Sequence, residues 1–292
     1  MKINEQCLPC LVNQAVKTAN LTGAENREEL YQKVFAQMSQ FDFRKTNPEI
    51  VGENFRLLKQ HIGCDDPYKD TKDFYNKLFL EKSNSYDEKI TSIEEAVKYA
   101  IVANIIDFNP VHSNVDEDIK NFFSNIEGLE LTINDVDLLL QDIQNAKSLL
   151  YLGDNCGEIC FDKLLIKRIK DLNPKCRIYF GVRGEAVVND NTEEDAYFVG
   201  MDEYATIISN GDYSLGTVLS RTSSQFREVY QSADVVIAKG QANYESLSEE
   251  DTNIYFLLMA KCKVIAEAIG VKEKSLVCLK RKGDSYDTRG LL

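Results

Sequence analysis

Histidine is scarce: the chain has two, His61 and His112, in 292 residues. A Ser-His-Asp machine therefore has few candidates for its base. No run of about 18 apolar residues occurs, so nothing reads as a membrane span. The opening MKINEQCLPC has no continuous apolar stretch of the kind a signal peptide needs. Basic charge is also short, with 34 Lys and Arg against 47 Asp and Glu and a net charge of −13. That balance disfavours non-specific binding to nucleic acid or anionic membrane, both of which call for surplus basic charge. Three motifs are missing as well. There is no Gly-x-x-x-x-Gly-Lys-Ser/Thr loop, no Gly-x-Gly-x-x-Gly after a strand and no Gly-x-Ser-x-Gly elbow. P-loop, dinucleotide-fingerprint and α/β-hydrolase chemistries are set aside on that ground.

What is present is an ordinary globular composition, 43% hydrophobic and 28% charged. At roughly 150 residues per domain, the length suits one large domain or two modest ones. A chain this long buries roughly three quarters of its unfolded surface and needs no disulfide staples. Eight cysteines are many, but Cys160, Cys176, Cys262 and Cys278 lie in apolar, patterned segments, where a free Cys behaves as a small hydrophobe. The chain reads as reduced and cytoplasmic. Leu11 to Ala19, Leu30 to Phe41 and Ile93 to Ile106 carry apolar residues three and four apart, the spacing of a helix face. Thr91 is expected to cap the last of these with Glu94 closing a capping box, and Asn109-Pro110 to end it. Between Ser113 and Lys147, eight acidic residues face two basic ones, the pattern of a solvated face. Leu138 to Leu140 implies a further packed helix there.

The pattern changes near Ser148. Leu149 to Leu152, Ile178 to Val182, Thr206 to Ile208, Asp234 to Ala238 and Ser275 to Leu279 are compact apolar runs separated by helical stretches, the first of which is Glu158 to Asp171. Such runs indicate a parallel sheet covered on both faces. The expected fold is α/β: a doubly wound, mostly parallel, Rossmann-like sheet in residues 148–292, with an N-terminal helical subdomain in residues 1–147.

Ligands of open α/β sheets bind at the carboxyl ends of strands, and four such ends are polar here. Gly153-Asp154-Asn155-Cys156-Gly157-Glu158 offers oxygen ligands suited to a hard divalent cation, with tight-turning glycines and a helix N-terminus beyond. Val187-Val188-Asn189-Asp190 brings a second carboxylate, Asp190, from a neighbouring strand end. Ser209-Asn210-Gly211-Asp212 suits backbone contacts to an oxyanion. Lys239, followed by Gly240, projects a cation from a strand end toward phosphate oxygens. Each segment taken alone also fits a turn, a helix cap or a snorkelling lysine. Together, carboxylates and amides for a metal and a lysine for an anion form the equipment of phosphoryl transfer.

These residues resemble the metal-dependent damage-control phosphatases, formerly a domain of unknown function. The likeness rests on Asp154-Asn155-Cys156-Gly157-Glu158-Ile159 with Phe161-Asp162, on Asn189-Asp190 with Asp195-Ala196, on Ser209-Asn210-Gly211, and on Ala238-Lys239-Gly240-Gln241 with Asn243 and Glu245. Cys7-Leu8-Pro9-Cys10, Asp66-Pro67-Tyr68 with Lys72, and Asn104 to Phe108 are similar to the family's small microbial branch. Cys156 stands where the family has a small residue such as Ala. The resemblance implies hydrolysis of phosphorylated metabolites, sugar phosphates or damaged phosphometabolites among them, while the acidic charge balance leads to the expectation of no nucleic-acid or membrane partner. The resemblance also implies that Asp154, Asn155 and Asp190 hold a divalent metal (Mg, Mn, Co or Ni) and that Lys239 grips the phosphate. Asn104, Asp107, Glu158, Ser209 and Asn210 would line the pocket, with a water or Asp154 itself as nucleophile. Two other readings stand beside this one. A Rossmann-like sheet also suits an S-adenosylmethionine-dependent carboxyl methyltransferase, an activity proposed for some relatives of the family. A non-catalytic metal-binding protein would use Cys7, Cys10, His61 and Cys64 as zinc ligands, although buried or pocket-lining thiols explain the Cys-x-x-Cys pair more simply.

Overall fold

A computed structural model describes residues 1–104, 123 and 126–281. Five helices come first: α1 Leu8–Leu21, α2 Arg27–Met38, α3 Asn47–Ile62, α4 Lys69–Tyr86 and α5 Ile93–Ala103. A seven-stranded sheet follows, β1 Ile133–Asn134, β2 Ser148–Leu152, β3 Arg177–Val182, β4 Thr206–Ser209, β5 Val235–Lys239, β6 Ile254–Met259 and β7 Leu276–Lys280. Helices α6 Val136–Asn145, α7 Ile159–Leu172, α8 Glu193–Phe198, α9 Ser224–Ser232, α10 Gly240–Leu247 and α11 Lys263–Ile269 alternate with the strands. The strand order is β1-β7-β6-β5-β2-β3-β4. Every pair is parallel except β6 with β7, so the fold is the expected doubly wound, mostly parallel α/β sheet. The sheet begins ahead of residue 148, because Ile133 and Asn134 pair with Val277 and Cys278.

Helix boundaries follow local chemistry. Thr46 and Glu49 form a capping box at the start of α3, with Pro48 in its first turn and Gly63 as its left-handed C-cap. At α5 the box lies one residue later than the Thr91–Glu94 pair expected from sequence. Ser92 Oγ accepts from Glu95 N at 3.1 Å and Glu95 Oε2 accepts from Ser92 N at 3.0 Å. Thr91 Oγ1 donates to the same carboxylate, so neighbouring hydroxyls compete for one partner and the helix register decides between them. Two helices of the first half and two strands escape the sequence pattern: α3, α4, β1 and β6. The last is a continuous apolar run, and periodicity alone does not separate a short buried strand from a buried helix segment.

The sheet divides the core by the period-two alternation of its strands. Leu149 and Tyr151 of β2 face one apolar cluster with α4, α5 and α7, while Leu150 and Leu152 face another with Phe226, Tyr230 and Leu247. Phe161 of α7 is the pin between the helical layer and the sheet. Its ring lies 6.0 Å from that of Phe79, 6.0 Å from Tyr99 and 4.6 Å from Phe123. Strand β2 is also where the winding reverses, with β3 on one side and β5 on the other. A doubly wound sheet opens a crevice for ligands at that switch point.

Candidate functional site

The chain leaves β2 at the switch point through Gly153, where a Cβ would stand 2.6 Å from Asn191 Nδ2 and 2.7 Å from Phe180 Cζ. Only glycine fits so tight an approach. The next residues are stitched to the loop after β3: Asn191 N donates to Asp154 O at 2.9 Å, and Cys156 N donates to Asn189 O at 2.9 Å. Asn155 and Asp190 thus face each other across an isolated antiparallel bridge. The three residues expected from sequence to hold a metal are brought together by backbone pairing, not by side-chain attraction.

Around them lies a dense buried charge cluster. Arg183, at the end of β3, reaches Asp190 Oδ2 with Nε at 2.6 Å and lies 3.8 Å from Asp154 Oδ1. Asn104 Nδ2 donates to Asp154 Oδ2 at 2.8 Å and also to Glu158 Oε2. Asn155 Nδ2 donates to the same two carboxylates, at 2.9 and 3.0 Å. Glu158 is fully enclosed, and its Oε1 lies 3.1 Å from Lys239 Nζ. Asp162 Oδ1 accepts from Lys239 Nζ at 2.6 Å and from the Tyr151 hydroxyl at 2.7 Å. Among the described residues, four carboxylates therefore share two cations. The imbalance favours the protonated form of Asp154, Asp162 and Asp190. Burial, then Asp190 and Glu158, push the Asp154 carboxyl up to about 8, against the pull of Arg183 and Asn104. Burial chiefly, with Glu158 beside it, pushes Asp162 up to about 7 against Lys239. Asp190 is raised by burial despite its bond to Arg183.

Lys239, expected from sequence to grip a phosphate, is enclosed among protein acceptors. Its ammonium has no exposure and bonds to Ala100 O at 2.8 Å, Glu158 and Asp162. Burial disfavours its charge, and Asp162 and Glu158 outweigh that and hold it protonated. The strand end points the side chain beneath the crevice, because α5 and α7 cover that face and supply the acceptors. Ser209 and Asn210 close β4, on the far side of β3 from β2. Asn210 Oδ1 accepts from Gly184 N and Asp212 N, both at 2.9 Å, which ties that loop to the end of β3. Ser209 Oγ accepts from Gly211 N at 3.2 Å. Asp107 lies outside the described residues. The participant the sequence reading missed is Arg183. Its signal was positional, a cation directly after Val182 at a strand end.

The four proposed zinc ligands are not gathered. Cys7 lies within electrostatic reach of Glu245, Cys262 and Cys10, whereas His61 Nε2 stands 3.2 Å from Glu25 O beyond the far end of α1. Cys10 and Cys64 are exposed and Cys7 is half-buried, so the pair is not a buried one either. Cys160, Cys176 and Cys278 are buried and Cys262 is half-buried. Among the described residues no three His, Cys, Asp or Glu side chains form a metal cluster. The set at the switch point is two carboxylates and an amide, Asp154, Asp190 and Asn155. That set fits Mg²⁺ or a similar ion in a phosphate site, which binds through one or two carboxylates and leaves the remaining positions to water and phosphate oxygens. The surplus of buried negative charge fits a dication as well, and Asn155 spends Nδ2 on neighbouring carboxylates, leaving Oδ1 for a cation. Gly240 adds a cradle: with φ at +78°, a Cβ there would stand 1.9 Å from Asp154 Oδ2.

A doubly wound α/β protein with a buried cluster of carboxylates and amides at its switch point is the class that fold and site define. The chain belongs to the family of the damage-control phosphatase ARMT1-like domain, whose profile matches residues 3–277. It is 31% identical to a damage-control phosphatase of Pyrococcus horikoshii over 97% of this chain and 99% of that one. It is 30% identical to a damage-control phosphatase of Archaeoglobus fulgidus, covering 95% and 98%, and 35% identical to an uncharacterised protein of Methanocaldococcus jannaschii, covering 96% of each. The crystal structure of a DUF89 family protein from Pyrococcus horikoshii superposes with a TM-score of 0.91 at 30% identity, over 97% of this chain and 100% of that chain. No helix among the described residues is long and apolar enough to cross a membrane.

Proposed function

We propose that the protein is a divalent-metal-dependent phosphatase that hydrolyses phosphate monoesters of small metabolites. The observation that carries this reading is the buried charge imbalance at the switch point, where, among the described residues, Asp154, Glu158, Asp162 and Asp190 pair with the two cations Arg183 and Lys239. A site so built is incomplete until a cation joins it, because unpaired buried charge is costly. Asp154, Asn155 and Asp190 would hold Mg²⁺, Mn²⁺, Co²⁺ or Ni²⁺. Such an ion supplies neutralisation of phosphate charge and orientation of the attacking group.

The chain's own residues have separable duties. Arg183 clamps Asp190 and faces Asp154, fixing the distance between the two loops. Asn104 and Asn155 donate to both Asp154 and Glu158, holding each carboxylate in one orientation. Lys239 acts from below through Glu158 and Asp162. The net charge of −13 is compatible with an anionic substrate because the bound dication reverses the local sign.

The test is a phosphatase screen on small phosphomonoesters with each of the four metals. Activity that EDTA removes and that Asp154→Ala abolishes with folding intact is the expected result. Undiminished rate in Asp154→Ala overturns the assignment. Titration with S-adenosylmethionine by calorimetry addresses the methyltransferase alternative, and saturable binding there would favour it.

A further inference from the structure

The sequence motif Asp66-Pro67-Tyr68 with Lys72 lies in the helical layer, at the start of α4, and the catalytic reading gives it no duty. In the structure it is the outer end of a buried chain of polar contacts. Lys72 Nζ lies 2.8 Å from Asp66 Oδ2 and 2.9 Å from Asp195 Oδ2, and Lys72 and Asp195 are almost fully enclosed. Asp195 Oδ2 also accepts from Thr192 N at 2.9 Å and Thr192 Oγ1 at 2.7 Å. Its other oxygen accepts from Asn76 Nδ2 at 3.0 Å. Asn76 Oδ1 in turn accepts from Gly157 N at 2.7 Å.

The two ends of this chain are informative. Thr192 is two residues beyond Asp190, and Gly157 is two residues beyond Asn155, so one cluster grips both loops that carry the metal-type ligands. Lys72 and Asn76 stand four apart on α4, hence on one helix face. A buried amide makes its hydrogen bonds only at fixed geometry, so the face of α4 braces the paired loops from the helical side. Gly157 is held at φ +77°, a turn that the amide acceptor of Asn76 helps to fix.

We infer that Lys72 and Asn76 are positioning residues for the metal site, which α4 bolts together from outside through Asp195 and Gly157. The inference rests on the metal reading of Asp154, Asn155 and Asp190. Outer contacts of this kind typically alter metal affinity or activity by roughly 10–100-fold.

The experiment is calorimetric titration of the full-length, metal-stripped protein with Mn²⁺ alone, without substrate. Asn76→Ala deletes two hydrogen bonds and no charge, and is expected to weaken Mn²⁺ binding by roughly 10-fold or more. Lys72→Met is the second variant, expected to shift affinity in the same direction. Phe79→Leu, a core change on the same helix, is the control: it should lower the melting temperature and leave Mn²⁺ affinity unchanged. Mn²⁺ affinity within twofold of the parent in folded Asn76→Ala, while Asp154→Ala loses binding, overturns this inference alone. Mn²⁺ binding that survives Asp154→Ala overturns the metal reading and the inference with it.

Discussion

Asp154 and Asp195 are the same residue type, both nearly excluded from water, and they behave in opposite ways. Burial works against ionisation in each. At Asp195 that penalty is outweighed by Lys72 and by donors on Thr192, so its carboxyl lies below the ordinary range. At Asp154 burial is reinforced by Asp190 and Glu158, and the carboxyl rises to about 8. One cluster is complete in the protein itself. The other holds more carboxylates than cations among the described residues, and the proposed metal would make up that deficit.

That contrast can be broken or sharpened by substitution. The largest effect is expected from Lys239→Met, which leaves Glu158 and Asp162 buried without their cation. Removing one partner of a buried pair costs about 3–5 kcal/mol, measurable by urea unfolding. Asp195→Asn follows, with a loss of about 1–3 kcal/mol as Lys72 and the Thr192 donors lose a charged acceptor. Asp154→Asn should move the other way in metal-free protein at pH 9. Removing a repelled buried carboxylate raises the melting temperature by about 2–4 °C for each kcal/mol gained, while activity is lost. A destabilised Asp154→Asn would contradict the charge-deficit reading.

The pH dependence of the metal-free protein checks the same deficit. Asp154 ionises near its ordinary 3.8 when unfolded but keeps its proton up to about 8 when folded. The folded state therefore binds more protons between those values, and stability falls as pH rises from about 4 to about 8. Thermal melts in EDTA should show that decline, and added Mn²⁺ should flatten it at the upper end. The smallest effect is expected at Cys10, which is exposed: Cys10→Ser should change stability by less than about 0.5 kcal/mol and leave activity unchanged.

Legibility from sequence differed by element. Strands β2, β3 and β5 were readable because buried parallel strands are continuous apolar runs with polar ends, and the three proposed metal ligands lie at two of those ends. The α5 cap was readable only to within one residue, since Thr91 and Ser92 offer the same chemistry. Strand β6 was hidden by the ambiguity of a short apolar run. Among site residues, Arg183 was overlooked because a single cation after a strand has no spacing partner. The zinc set failed for the opposite reason: Cys7-x-x-Cys10 and His61-x-x-Cys64 have suggestive local spacing but lie at different places in the helical layer.

Residue order by itself determined the α/β class and the polar strand ends that carry Asp154, Asn155 and Asp190, because hydrophobic period and turn chemistry are local properties. The tertiary structure decided what each charge does. Lys239 faces down to Glu158 and Asp162 and not outward, Arg183 spans the two loops, and α4 reaches Gly157 and Asp195 from far away in the chain. Those roles depend on which groups share a low-dielectric interior, and electrostatic partnership there is set by distance and burial that no sequence spacing encodes.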